Sequence, residues 1–93
     1  MKPYIVDFTG VKTYWQLYEA VMKGLDLPEW FGKNADALWD VLTGYIEYPA
    51  TIYLYGVNKF PKDLVSEREE IIKMFREASN YCNKIIYEVK VMS

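Results

Sequence analysis

The sequence predicts an α/β domain in which three parallel strands form one sheet and three to four helices pack on it. Three short runs, 3–8, 50–55 and 84–91, have strand composition. The two segments between them are long enough to carry helices, and such crossovers return each strand parallel to the last. Both segments place apolar residues at helical spacing behind capping signals. A chain of 93 residues has room for one domain, 1–93, and no repeat, low-complexity tract or linker divides it.

Taken in order, PYIVDF is the first strand, closed by Thr9-Gly10. Thr13 to Gln16 then forms a capping box, in which Thr13 accepts from a first-turn N–H and Gln16 reaches back. Tyr14, Leu17, Tyr18, Val21 and Leu25 follow along one helical face, with Lys23 and Gly24 suited to its end. Pro28 and Gly32 mark 26–33 as a loop. Asn34 is the N-cap and Gly44 the stop of a second helix. Residues 45–49 lead into ATIYLY, the second strand.

Residues 56–62 are loop, with a short helical turn after Pro61. Ser66 to Glu69 is a second capping box, opening a helix with Ile71, Ile72, Phe75 and Ala78 inward. Glu69–Lys73 and Lys73–Glu77 are i,i+4 pairs on its polar side. KIIYEVKV alternates Ile85, Tyr87, Val89 and Val91 against Ile86, Glu88 and Lys90, the third strand.

Composition removes several chemistries. Apolar residues make up 52% and charged residues 26%, which is globular rather than disordered. Histidine is absent, so there is no His acid/base couple, His-activated nucleophile or His metal ligand. The single cysteine, Cys82, cannot close an internal disulfide or build a thiolate zinc site. No apolar run reaches a membrane span, and the opening MKPYIVDF lacks the core of a secretory leader. A net charge of −2 argues against nucleic acid as the direct partner. Aromatics, by contrast, are abundant at 17%.

The charge is unevenly placed. Residues 26–48 hold five acids, Asp26, Glu29, Asp36, Asp40 and Glu47, against Lys33 alone, a net of −4; the rest of the chain is therefore +2. On the second helix, at about 100° per residue, Leu38 and Leu42 point one way and Asp36 and Asp40 roughly the other, one turn apart. Thr43 joins the acidic ridge and Trp39 lies on the border. Like charges at i,i+4 repel, Asp is a weak helix former, and only Asp36 gains from the helix dipole, so the arrangement costs about 1 kcal/mol. Positions that break local rules without local benefit are candidates for function. Trp30 and Phe31 before the helix and Tyr45 after it frame the ridge with aromatics, as in a protein-binding surface. The plain alternative is solvated surface acids, with Trp30, Phe31 and Trp39 in the core.

The segment LPEWFGKNADALWDVLTGYIEYP, 27–49, resembles the barstar family of intracellular ribonuclease inhibitors, as does Phe75-Arg76-Glu77-Ala78 on the long helix. The resemblance implies a barstar-like fold, a three-stranded parallel sheet with helices, and a non-enzymatic protein without metal or cofactor. It implies a small basic ribonuclease as partner and a cytoplasmic location. It also implies a monomer when free, with no direct contact to nucleic acid or membrane. The second helix and the preceding loop would enter the nuclease groove and stand in for RNA phosphates. By position, Asp40 matches the central carboxylate, Asp36 a second anionic contact and Trp30 an aromatic facing the groove. Trp39, Gly44 and Tyr45 match further interface positions, and Glu77 the acid offered from the long helix. Phe31, Asn34, Ala37 and Thr43 complete the implied partner-binding set. Tyr48-Pro49 matches a cis peptide. The chain departs from the type member at Tyr81 and Lys33, where that protein has acids, at Tyr45, where it has Trp, and at Val41 and Asn83, where it has Cys.

Two other readings stand beside this one. One is an interaction module that kept the fold and changed its basic protein target. The other is a phosphohydrolase holding Mg²⁺ on Asp36 and Asp40, for which the sequence offers neither a base beyond acids nor a phosphate loop.

Overall fold

Alternation in the β-rich runs sorts their side chains between two faces, and a computed structural model, which describes residues 2–90, shows the result. Strands β1 (Lys2–Asp7), β2 (Ala50–Tyr55) and β3 (Ile85–Lys90) form one parallel sheet in the order β1-β2-β3. Tyr4 stands beside Ile52, and Ile52 beside Tyr87. One face of the sheet, carrying Tyr4, Val6, Ala50, Ile52, Leu54 and Ile85, is buried. The other carries Ile5, Ile86 and Glu88 and is open. Val91, expected to end the third strand, lies outside the described residues.

Three α-helices complete the domain: α1 (Tyr14–Gly24), α2 (Ala35–Gly44) and α3 (Val65–Tyr81). Helix α1 packs on β1, α3 on β3, and α2 on α3. Two 3₁₀ turns lie between β2 and α3, Val57–Lys59 and Lys62–Leu64, the second directly after Pro61. One apolar core joins all the layers, with Leu17, Val21, Leu38, Leu42, Ile71 and Phe75 meeting the buried sheet face. Each such side chain contributes about 1.5–3 kcal/mol by leaving water.

The caps show where local chemistry rules. Thr13 Oγ1 accepts from Gln16 N at 3.2 Å, as expected of a capping box, but Gln16 Oε1 accepts from Lys12 N at 2.8 Å rather than from Thr13 N. The box expected at Ser66 does not form. The second 3₁₀ turn runs straight into α3, Leu64 takes the cap position, and no side chain caps it, so Ser66 already lies inside the helix. Glu69 pairs with Arg68 at 2.7 Å, and Lys73 with Glu77 at 3.7 Å.

Helix α1 ends in a Schellman motif. Leu27 N donates to Met22 O at 2.9 Å and Asp26 N to Lys23 O at 3.3 Å, with Asp26 at φ 56° in the left-handed position that glycine usually fills. Gly24 is needed for a different reason: a Cβ there would lie 2.5 Å from Ile5 O. Gly24→Ala is expected to push α1 off β1 and lower the unfolding free energy by about 1–3 kcal/mol in urea titration; an unchanged midpoint would refute the close approach.

Tyr18 is fully buried, and burial, reinforced by Tyr14, holds its phenol well above the ordinary value of about 10. The folded state therefore keeps this proton while the unfolded chain releases it. Its contribution to stability is complete below pH 10 and declines as pH rises further. Tyr18→Phe is expected to flatten the alkaline fall in melting temperature; an equally steep fall would show that Tyr18 does not set it.

Candidate functional site

Burial of Leu38 and Leu42 turns the opposite side of α2 outward, and Asp36 and Asp40 are both exposed there. The described ion pairs, Arg68–Glu69, Lys73–Glu77 and Glu88–Lys90, all lie elsewhere. The one base of the acidic segment, Lys33, is turned away, its Nζ 5.7 Å from the centroid of the Trp15 ring. Among the described residues neither aspartate is neutralised within the chain.

The loop before α2 is tied down at several points. Leu27 and Phe31 are buried, and the Phe31 ring lies 6.3 Å from that of Tyr18. Phe31 N donates to Pro28 O at 3.1 Å, and the Tyr14 hydroxyl donates to Lys33 O at 3.1 Å. Lys33 itself takes a positive φ of 44°. Asn34 caps α2 from both directions: Oδ1 accepts from Ala37 N at 2.8 Å, and Nδ2 donates to Gly32 O at 2.7 Å. These anchors fix a loop in which one aromatic turns in and its neighbour turns out. Trp30 is 70% exposed and meets Tyr45 edge to face, with ring centroids 5.7 Å apart and planes at 87°.

Between this loop and α2 lies a cleft of about 450 Å³. Trp30, Phe31 and Gly32 form one wall, while Ala37, Val41, Gly44 and Tyr45 form the other. Asp40 is the one carboxylate among the lining residues. At Gly44 a Cβ would meet nothing within 4 Å, so the end of α2 is bare backbone at this mouth.

The predicted set thus divides. Trp30, Ala37, Asp40, Gly44 and Tyr45 converge on the cleft, with the exposed Asp36 one turn from Asp40. Phe31 is the buried part of its wall rather than a projecting anchor. Asn34 is occupied as a cap. Thr43 donates its hydroxyl to Trp39 O at 2.8 Å and serves its own helix. Trp39 is half-buried against the core and meets Tyr81 edge to face. Glu77 is half-buried on α3, paired with Lys73, and does not line the cleft. Gly32 and Val41 are lining residues that spacing alone did not single out. The signal for Val41 was its place next to Asp40 on the border of the apolar face.

Tyr48–Pro49 is cis, and the Tyr48 hydroxyl donates to Leu42 O at 2.5 Å. Among the described residues no group of three or more Cys, Asp or Glu could hold a metal ion, and no helix is long and apolar enough to cross a membrane.

The fold and this face together define a small α/β domain with three parallel strands and an unneutralised acidic helix at its surface. Residues 1–92 match the family model described as Barstar (barnase inhibitor). The chain is also 31% identical over 78 residues to a Bacillus subtilis (strain 168) protein named "Putative ribonuclease inhibitor YrdF", covering 84% of this chain and 86% of that one. The chain belongs to the barstar family, whose members are inhibitors and not enzymes.

At Gly44 helix stability and access to the cleft can be varied separately. Alanine is the better helix former by about 0.5–1 kcal/mol, and nothing obstructs its methyl group. Gly44→Ala is expected to raise the melting temperature while weakening capture of a ribonuclease. A variant that is more stable and binds equally well would show that no partner backbone approaches here.

Proposed function

We propose that the chain inhibits a small basic ribonuclease by seating α2 and the loop before it in the nuclease groove. Asp40 then occupies a phosphate-binding position and Asp36 a neighbouring one. The observation that carries this reading is the exposed, unpaired Asp40 at the edge of an apolar cleft, on a helix whose cap and flanking loop are fixed. A nuclease site presents basic side chains arranged for a polyanion. A carboxylate satisfies the same donors, Arg by two parallel hydrogen bonds, and offers no scissile bond.

Supporting features act on different terms. The net charge of −4 over 26–48 attracts a basic partner and speeds encounter, an effect that salt screens. Trp30 and Tyr45 offer rigid aromatic area whose geometry is already set before binding, so little entropy is lost in ordering them. The inhibitor acts in the cytoplasm, as a monomer until the nuclease binds, and its lone Cys82 is compatible with a reducing compartment.

A second reading, a module for another basic protein, is motivated by Lys33 and Tyr81. A panel of small ribonucleases separates the two. Failure to bind any of them, with tight capture of another basic protein, favours the module.

Asp40→Ala is expected to weaken inhibition of the cognate ribonuclease by at least about 2 kcal/mol, roughly thirtyfold, a size taken over from the barnase–barstar pair rather than derived from this chain. Its circular dichroism should match the parent's and its urea midpoint should be no lower, since the substitution removes an i,i+4 repulsion and a weak helix former. The association rate of the parent should fall with added salt, and that of the variant should fall less steeply. Inhibition undiminished in Asp40→Ala would remove the assigned role.

A further inference from the structure

The first turn of α1 holds Lys33 at both ends. The Tyr14 hydroxyl donates to its carbonyl at 3.1 Å, and the Trp15 ring receives its ammonium, with Nζ 5.7 Å from the ring centroid. Trp15 is 61% exposed and adds little to the core, yet its ring is fixed. It stands edge to face on Tyr14, with centroids 5.6 Å apart and planes at 84°. Among the described residues Lys33 enters no ion pair.

Where this ammonium goes matters to the acidic face. Lys33 directly precedes the Asn34 cap, and Asp36, three residues on, is its nearest carboxylate along the chain. A pair with Asp36 would relieve the repulsion between Asp36 and Asp40 and blunt the ridge. Exposed ion pairs are worth about 0.2–1 kcal/mol. A cation on an exposed aromatic ring is worth about 0.5–1 kcal/mol. The two are closely matched, and the positive end of the α2 dipole, which disfavours a lysine beside it, tips the balance toward the ring. Removing the ring reverses that balance.

Resting on the inhibitor reading above, we infer that Trp15 is a positioning residue for the acidic face: it holds Lys33 away from Asp36, so both aspartates stay available to a cationic partner, and it touches no partner itself. Without the ring, part of the free population has Asp36 already paired with Lys33. A nuclease must then displace the lysine, and apparent affinity falls with the fraction of chains left competent. The loss sits in association, because the bound state is the same.

The test measures association and dissociation rates with barnase and a panel of other small basic ribonucleases, read on each enzyme that the parent chain inhibits. Trp15→Ala should slow association about two- to fivefold at low salt, with dissociation unchanged. Trp15→Tyr, which keeps a ring, should stay close to the parent. Lys33→Gln should speed association by removing the one base of the segment, and adding Trp15→Ala to it should change nothing further. High salt, which screens an exposed pair, should erase the Trp15→Ala loss. In the free protein, proton NMR should show the Lys33 ε-methylene losing its aromatic ring-current shift in Trp15→Ala. The urea midpoints should stay near the parent's, as Trp15 is exposed. Parent-like association in Trp15→Ala, a loss that persists in Lys33→Gln or at high salt, a loss carried by dissociation, or an unmoved Lys33 signal would each overturn the positioning role and leave the inhibitor reading intact. A parent chain that inhibits no ribonuclease overturns both.

Discussion

Burial of Leu38 and Leu42 sets the azimuth of α2, and every feature of the acidic face depends on that rotation. These side chains are held in the core shared by α3 and the sheet. With a step of about 100° per residue, no rotation can bury them and also bury Asp36 and Asp40. The exposed carboxylates are therefore a geometric consequence of core packing, and the core supplies the rigidity with which they are presented. The same rotation leaves Trp39 on the border, where it can touch both the core and Tyr81.

The electrostatics follow from where the single nearby base goes. A lysine beside two aspartates would ordinarily relieve their repulsion, but the positive φ of Lys33 and the hydrogen bond from Tyr14 to its carbonyl turn this residue toward Trp15. The helix keeps its unfavourable charge pair and the fold absorbs a cost of about 1 kcal/mol, small against burial worth about 1.5–3 kcal/mol for each large core side chain. The cleft adds the complementary half, with apolar walls against which a partner's aliphatic or aromatic surface can lose water beside a carboxylate.

Much of this was legible in the sequence. Strand composition, with period-two alternation in the third run, marks the sheet, period-3.6 spacing marks α1 and the buried face of α2, and Thr13 and Asn34 behave as side-chain caps should. The misreadings have physical causes. Ser66 has the right neighbours for a capping box, but the turn after Pro61 starts the helix earlier, so tertiary connection overrode a local signal. Trp30 and Phe31 are alike in composition and opposite in role; which one enters the core depends on Tyr18 across the domain, a long-range contact that spacing does not encode. Asp26 in a left-handed cap and Gly24 at a close approach exchange the tasks a reader of the sequence would give them.

The one-sided cover of the sheet carries a dynamic consequence. Strand β2 is hydrogen-bonded on both flanks, whereas β1 and β3 each have a single neighbour, so amide exchange should be slowest in the middle strand. Helix α3 leans on β3, and α2 leans on α3. The acidic helix is thus mechanically coupled to a rim strand rather than to the best-protected one. A ligand seated on α2 would quiet opening of β3 at a distance through α3, making that strand a reporter of occupancy that touches nothing it reports on.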